Sequence, residues 1–239
     1  MSKWQLWMPG KPEKRIEKIE PLLASWERKD HPAQVKLQSY LDSLASALSS
    51  VLHGRTGLFL HMDIDVQKQE RLLHHYDLEN YLTPVVHRLG HAHFSFVSAT
   101  KNVGGGSQLI VGTVQPSREV MEREGWQHFD YSGWSGKDTK LDKDRLRAAL
   151  AKRASRPLPP GPVQVHLAWR CSSKRSWVNL WKRTGDVMGP VLGEPANQTG
   201  FNPSDDRIVA LGLHLNPDER MGFLVDVGMW WRVRAGTGE

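Results

Sequence analysis

One pattern, met twice, constrains this chain more than any other feature. Residues 3–8 alternate like a short strand, and after helical segments residues 58–66, LFLHMDIDV, read as a second strand. A polar loop leads to YDLENYLTPVVHRLG, which opens like a helix, and alternating runs over residues 93–100 and 108–114 close the series. From Gly125 the order restarts. It gives a strand over 125–131, a basic amphipathic helix over 141–154, a strand over 163–169, a helix from Asn179, and runs over 207–214 and 223–232. Set against one another at Asn80 and Asn179, the two inner helices both end at a glycine, Gly90 and Gly189. Trp126-Gln127 echoes Trp4-Gln5 at the start of each series. Self-similarity of this kind is what duplication of one supersecondary unit leaves behind. It predicts an α/β (α+β) fold of two similar halves, residues 1–118 and 119–239, packed as a pseudo-twofold dimer within one monomeric chain.

Finer expectations follow from periodicity. Ile16, Ile19, Leu22 and Leu23 fall at helical spacing and predict a helix over residues 13–29. Leu37, Tyr40, Leu41, Leu44, Leu48 and Val51 predict another over 35–52. The glycine run Gly104-Gly105-Gly106 and the turn Asn216-Pro217-Asp218 each predict a hairpin between the strands they join. Trp230 and Trp231 must point to opposite faces of their strand, so one is expected in the core and the other exposed or at an interface.

Composition excludes several classes. The single cysteine, Cys171, allows neither an intrachain disulfide nor a cysteine-based zinc site. No apolar run approaches the roughly 20 residues of a membrane span, and the first residues show no secretory pattern. A cytoplasmic protein with no membrane partner is expected. The formal charge of +6 suits an anionic partner such as nucleic acid. Gly104-Gly105-Gly106 lacks the Lys-Ser/Thr of a phosphate loop, and there is no Gly-x-Ser-x-Gly.

The residues that could carry chemistry are acidic and lie at element starts. Asp77 is placed to cap its helix, and Glu79 sits in the first turn. Asp63 and Asp65 share one face of the preceding strand, and that strand could bring one of them beside Asp77. In the second half Lys182 and Asp186 stand one turn apart, i and i+4, and Asp205-Asp206 open the next strand. Mg²⁺ or Mn²⁺ takes hard oxygen ligands, usually two or more carboxylates. Asp77 and Glu79 with Asp63 or Asp65 would make such a set. The alternatives are an N-cap with a first-turn Glu on the helix dipole, a plain Lys182–Asp186 ion pair, and a surface turn at Asp205-Asp206. Basic residues Lys137, Lys140, Lys152, Arg153, Lys174, Arg175, Lys182 and Arg183 could track a phosphate backbone.

These residues resemble a family. A helix start of the form Asp-x-Asp-Asn-Leu-x-Lys, an Asp one turn further on, and a strand opened by Asp-Asp are similar to the RusA-like Holliday junction resolvases. The second half carries Asn179-Leu180, Lys182, Asp186 and Asp205-Asp206, and the first carries Asp77, Glu79 and Asn80. The resemblance implies a small α/β homodimer-like fold. It implies an Mg²⁺-dependent endonuclease that nicks branched DNA, with Asp77, Glu79, Lys182, Asp186, Asp205 and Asp206 as catalytic candidates. The chain departs from the pattern in both halves. Thr83 and His87 stand where Lys182 and Asp186 are expected, and Ser176 and Val178 stand where acids are expected. No carboxylate opens the strand near His93. What one half lacks the other keeps. The competing reading is a nucleic-acid-binding or assembly module that kept the fold and lost the chemistry. The distance between the Asp77/Glu79 and Asp205/Asp206 pairs separates the cases. Under about 6 Å they can share an ion.

Overall fold

A computed structural model describes residues 3–24, 27–73, 77–117, 125–135, 139–154, 156–195 and 200–234. The elements in chain order are β1 (Leu6–Glu17), α1 (Pro32–Leu52), β2 (Leu58–Asp65), α2 (Leu78–Leu89), β3 (Phe94–Asn102), β4 (Gln108–Ser117), β5 (Gln127–Trp134), α3 (Thr139–Arg153), β6 (Val163–Cys171), α4 (Val178–Gly185), α5 (Gly189–Leu192), β7 (Ile208–Pro217) and β8 (Val225–Val233). The eight strands of the described residues form one mixed sheet in the order β1-β4-β2-β3-β7-β6-β8-β5. β2 runs parallel to β3 and β6 parallel to β7, while the other neighbours are antiparallel. The last four strands thus repeat the order of the first four, counted from the opposite edge. The β3–β7 pair joins the two sets in antiparallel register, Ser98 opposite Gly212.

Helices from both sets pack on one face of this sheet. Leu37, Leu41, Leu44 and Leu48 of α1, Leu82 and Val86 of α2, Leu146 and Leu150 of α3 and Trp181 of α4 share one apolar core with Leu60, Met62, Val97, Val165, Leu213 and Trp231 of the strands. Burying a side chain of this size contributes about 1.5–3 kcal/mol, so this layer dominates stability. α1 starts at Pro32, and the His31 ring nitrogen accepts from the Ala33 amide at 3.3 Å. Pro84 lies inside α2, where it cannot donate to the Asn80 carbonyl. The Ala24 amide takes that carbonyl instead, at 3.0 Å, tying the segment before α1 to the helix.

Three expectations are corrected. Residues 13–17 are the end of β1, not a helix, and the described residues of 18–29 are not helical either. The charges of Glu13, Lys14 and Arg15 lie on an edge strand that pairs only with β4, and edge strands carry such charges without penalty. Neither expected hairpin is a pair. β2 lies between β3 and β4, and β6 between β7 and β8, so each joining loop crosses the end of an intervening strand. The crossing over β2 is held by Asp65, whose carboxylate accepts from the Gln67, Gly104 and Gly106 amides at 2.9, 3.1 and 3.1 Å. Finally, Trp230 and Trp231 do face opposite ways, yet both are buried. The segment leading into β1 folds over the outer sheet face. Trp4 packs edge-on against Trp230 with centroids 6.0 Å apart, and the Trp7 indole donates to the Leu215 carbonyl at 3.1 Å. Trp4 precedes edge strand β1 and Trp126 precedes edge strand β5, and both pack at the one cluster with Leu6, Ala168 and Trp230.

Candidate metal centre

α2 begins where the chain leaves the end of β2, and its N-terminus carries the first two acids. Asp77 occupies the cap position with extended backbone, but its side chain makes no hydrogen bond to the helix backbone. Its carboxylate accepts instead from the Asn80 side-chain amide at 3.0 Å. Glu79 is only 8 % exposed. A carboxylate so buried is costly unless a counter-charge or a proton meets it. The third acid comes from the other set of strands. Asp205 opens the one-turn 3-10 helix Asp205–Arg207 that feeds β7, the strand beside β3 at the sheet's centre. Carboxylate oxygens of Asp77, Glu79 and Asp205 lie within 4.8 Å of one another. Among the described residues this is the one group of three acidic, histidine or cysteine side chains so arranged.

The electrostatics follow from that crowding. Burial, then the neighbouring charge of Asp77, pushes the Glu79 carboxyl up to about 7. Burial, then the charges of Glu79 and Asp77, pushes Asp205 up to about 8. Like charges held this close retain protons unless a cation takes their place. Two lysines approach the cluster. Lys182 of α4 feels burial most, which lowers its pKa, but the pull of Asp186, Glu79 and Asp205 outweighs it and the ammonium is strengthened. Lys101 is fully buried on β3 and donates to the Asp206 carbonyl, gripping the turn that delivers Asp205. Burial brings its pKa down to about 8, against the pull of Asp206, Asp77, Asp205 and Glu79. Three hard oxygen donors flanked by ammonium groups suit a divalent cation such as Mg²⁺ or Mn²⁺. These residues could hold one.

The other expected residues fall into place unevenly. Asp63 and Asp65 do not join the cluster, and that expectation is corrected. The strand alternates, and Met62 and Ile64 take the helix-covered face, so both aspartates point the other way. Asp63 is tied up there by Thr100, by Gln108 at 2.7 Å and by His61 at 3.1 Å, and the His61 bond above all holds its carboxyl far below the usual range. Asp65 serves the glycine loop. Asp186 is an ion-pair acceptor, 2.7 Å from Lys143 and 3.4 Å from Lys182. Asp206 contributes its carbonyl to Lys101. Lys140, Lys152 and Arg153 are exposed on α3, as is Lys174, and Arg175 and Arg183 are half-buried. Lys137 lies outside the described residues.

Between α2 and α4 runs a cleft of about 440 Å³ that residues of both helices line. Asn80 faces it with Asn179, Thr83 with Lys182, and His87 with Asp186. Lys182 thus lies near Glu79 of the opposite helix as well as its ion-pair partner Asp186. Lys101 was missed in sequence, although a signal exists. Val97 and Ala99 occupy the helix-facing positions of β3, and Lys101 continues their alternation into the core. No model of a known protein family matches this chain, and no curated protein matches it in sequence. Among the described residues no helix is long and apolar enough to cross a membrane.

Proposed function

We propose that this chain is an internally duplicated, RusA-like endonuclease that hydrolyses phosphodiester bonds in branched DNA with Mg²⁺ or Mn²⁺. It would act as a monomeric pseudo-dimer with one composite site. The observation that carries this reading is the meeting of Asp77 and Glu79 from one half with Asp205 from the other, within 4.8 Å. The split motif, the best argument for a degenerate binding module, reads differently once its surviving parts converge. Each half keeps what the shared site needs. The repeated strand order and the paired lining of the α2–α4 cleft support the duplication.

The donor set suits the ion, which when bound would polarise a phosphoryl oxygen and ease ionisation of water. Asp77, Glu79 and Asp205 would hold and orient it. Lys182, on the rim of the cleft, would offset the charge that grows on the pentavalent phosphorus. Lys101 would keep the Asp205 turn in place. Exposed Lys140, Lys152 and Arg153 would bear on flanking phosphates.

The test is cleavage of a labelled four-way DNA junction in Mg²⁺ or Mn²⁺. The wild type cuts and the Asp77→Asn variant does not. Binding without cutting in several metals would leave the non-catalytic module standing, and failure to bind any nucleic acid would dismiss both readings.

A further inference from the structure

The two sets of strands assign every residue of the acidic cluster a counterpart. The Asn80 amide donates to the Asp77 carbonyl at 3.1 Å, and the Asn179 amide donates to the Ser176 carbonyl at 3.2 Å, so the two asparagines stand alike relative to Asp77 and Ser176. Ser176 and Val178 thus stand where Asp77 and Glu79 stand. One-turn 3-10 helices precede β3 and β7 alike, His91–His93 and Asp205–Arg207, and they set His91 against Asp205. The buried Trp177 indole closes this end, donating to the His91 carbonyl at 3.2 Å. No carboxylate remains at any of the three counterpart positions.

What the counterpart offers is different chemistry. A cleft of about 570 Å³ opens beside Ser176, lined also by Lys174, Arg175 and Phe223. Phe223 is 80 % exposed and its neighbour Leu224 is 48 % exposed, at the loop that joins β7 to β8. The Arg175 guanidinium donates to the Phe223 carbonyl at 2.7 Å and so ties that loop to the start of α4. Glu219, the acid in this cleft, reaches across from the β7–β8 loop to the loop after β6, accepting from the Ser172 hydroxyl at 2.7 Å and the Ser173 amide at 2.8 Å. An exposed aromatic ring beside two cations is what grips an unstacked base and its phosphate.

Given the endonuclease reading above, we infer that the protein nicks one strand per binding event and grips the symmetry-related strand, uncut, at Lys174, Arg175 and Phe223. A four-way junction presents two equivalent strands across its branch point. One meets three carboxylates and the other meets two cations and a ring. At the acidic end a water oxygen adds to phosphorus and one bridging P–O bond breaks. One proton of the water goes to the departing oxygen and the other to solvent. Nothing at the basic end can repeat that step.

A supercoiled plasmid carrying a cruciform-forming inverted repeat tests this with the intact protein in Mn²⁺. Paired cuts across the branch linearise the plasmid, whereas one nick relaxes it and the cruciform is reabsorbed. Open circles are expected as the first-turnover product. Linear DNA in that turnover would overturn the single-nick inference alone. Absence of any cut, with no Mn²⁺ bound, would overturn the endonuclease reading beneath it. Phe223→Ala is expected to weaken junction binding by about 5- to 160-fold, and Lys174→Ala with Arg175→Ala to weaken it and flatten its salt dependence. Mn²⁺ affinity should hold in both variants. Unchanged junction affinity in both would overturn the grip.

Discussion

Replacing Asp205 by Asn should make the metal-free protein more stable and deprive it of its response to metal. Two unit charges no more than 4.8 Å apart, at an effective dielectric of about 20, repel by about 3.5 kcal/mol or more. The wild type limits this repulsion by holding protons, Glu79 to about 7 and Asp205 to about 8. Both pKa values are raised on folding, so the folded state binds more protons than the unfolded chain between pH 4 and 8. Stability therefore falls as pH rises through that window and levels off above it. The Asp205→Asn variant keeps the shape of the carboxyl without its charge and removes the larger part of this slope. At pH 8.5 in chelator we expect it to exceed the wild type by about 3 kcal/mol. For a chain of this length that is roughly 6–12 °C in Tm. At pH 5 the two should nearly coincide. Mn²⁺ should raise the Tm of the wild type and leave that of the variant flat. Thermal unfolding across pH, with and without Mn²⁺, measures all of this. A variant that melts at or below the wild type at pH 8.5 in chelator, or that gains as much from Mn²⁺, would refute the reasoning.

Two further substitutions separate the roles of Lys182 and Asp186. On the proposed reading the Lys182 ammonium would act on the reacting phosphate and would not be a ligand, so Lys182→Met should slow single-turnover cleavage by about a hundredfold without weakening Mn²⁺ binding. An unchanged rate would remove it from the mechanism. Asp186→Asn should retain Mn²⁺ affinity yet lower stability by about 3 kcal/mol in a denaturant titration. The half-buried Lys143 then loses its partner at 2.7 Å. Loss of metal binding there would instead make Asp186 a ligand.

The sequence revealed the fold's parts more readily than their neighbours. Apolar periodicity located α1 through Leu37, Leu41, Leu44 and Leu48, and the LFLHMDIDV run located β2. It failed over residues 13–17, where Ile16 and Ile19 mimic a helical spacing but the charges belong to an edge strand. It also paired β3 with β4, because consecutive strands usually are neighbours and nothing local announces that β2 will come between. The site was half visible. Asp77, Glu79 and Asp205 were each marked by their place at an element start, but the contact between them joins residues far apart in sequence and exists only because β3 meets β7. Asp63 and Asp65 were drawn in by proximity in sequence, though strand alternation turns them to the other face. Lys101 escaped because a lysine on a buried register reads as a strand ending.

The central claim is that acids from both halves share one divalent ion. Calorimetric titration with Mn²⁺ tests it most directly, on the wild type and on the Asp77→Asn and Asp205→Asn variants. We expect one ion per chain in the wild type, and no binding in either variant. An Asp205→Asn variant that binds Mn²⁺ as the wild type does would contradict a shared site.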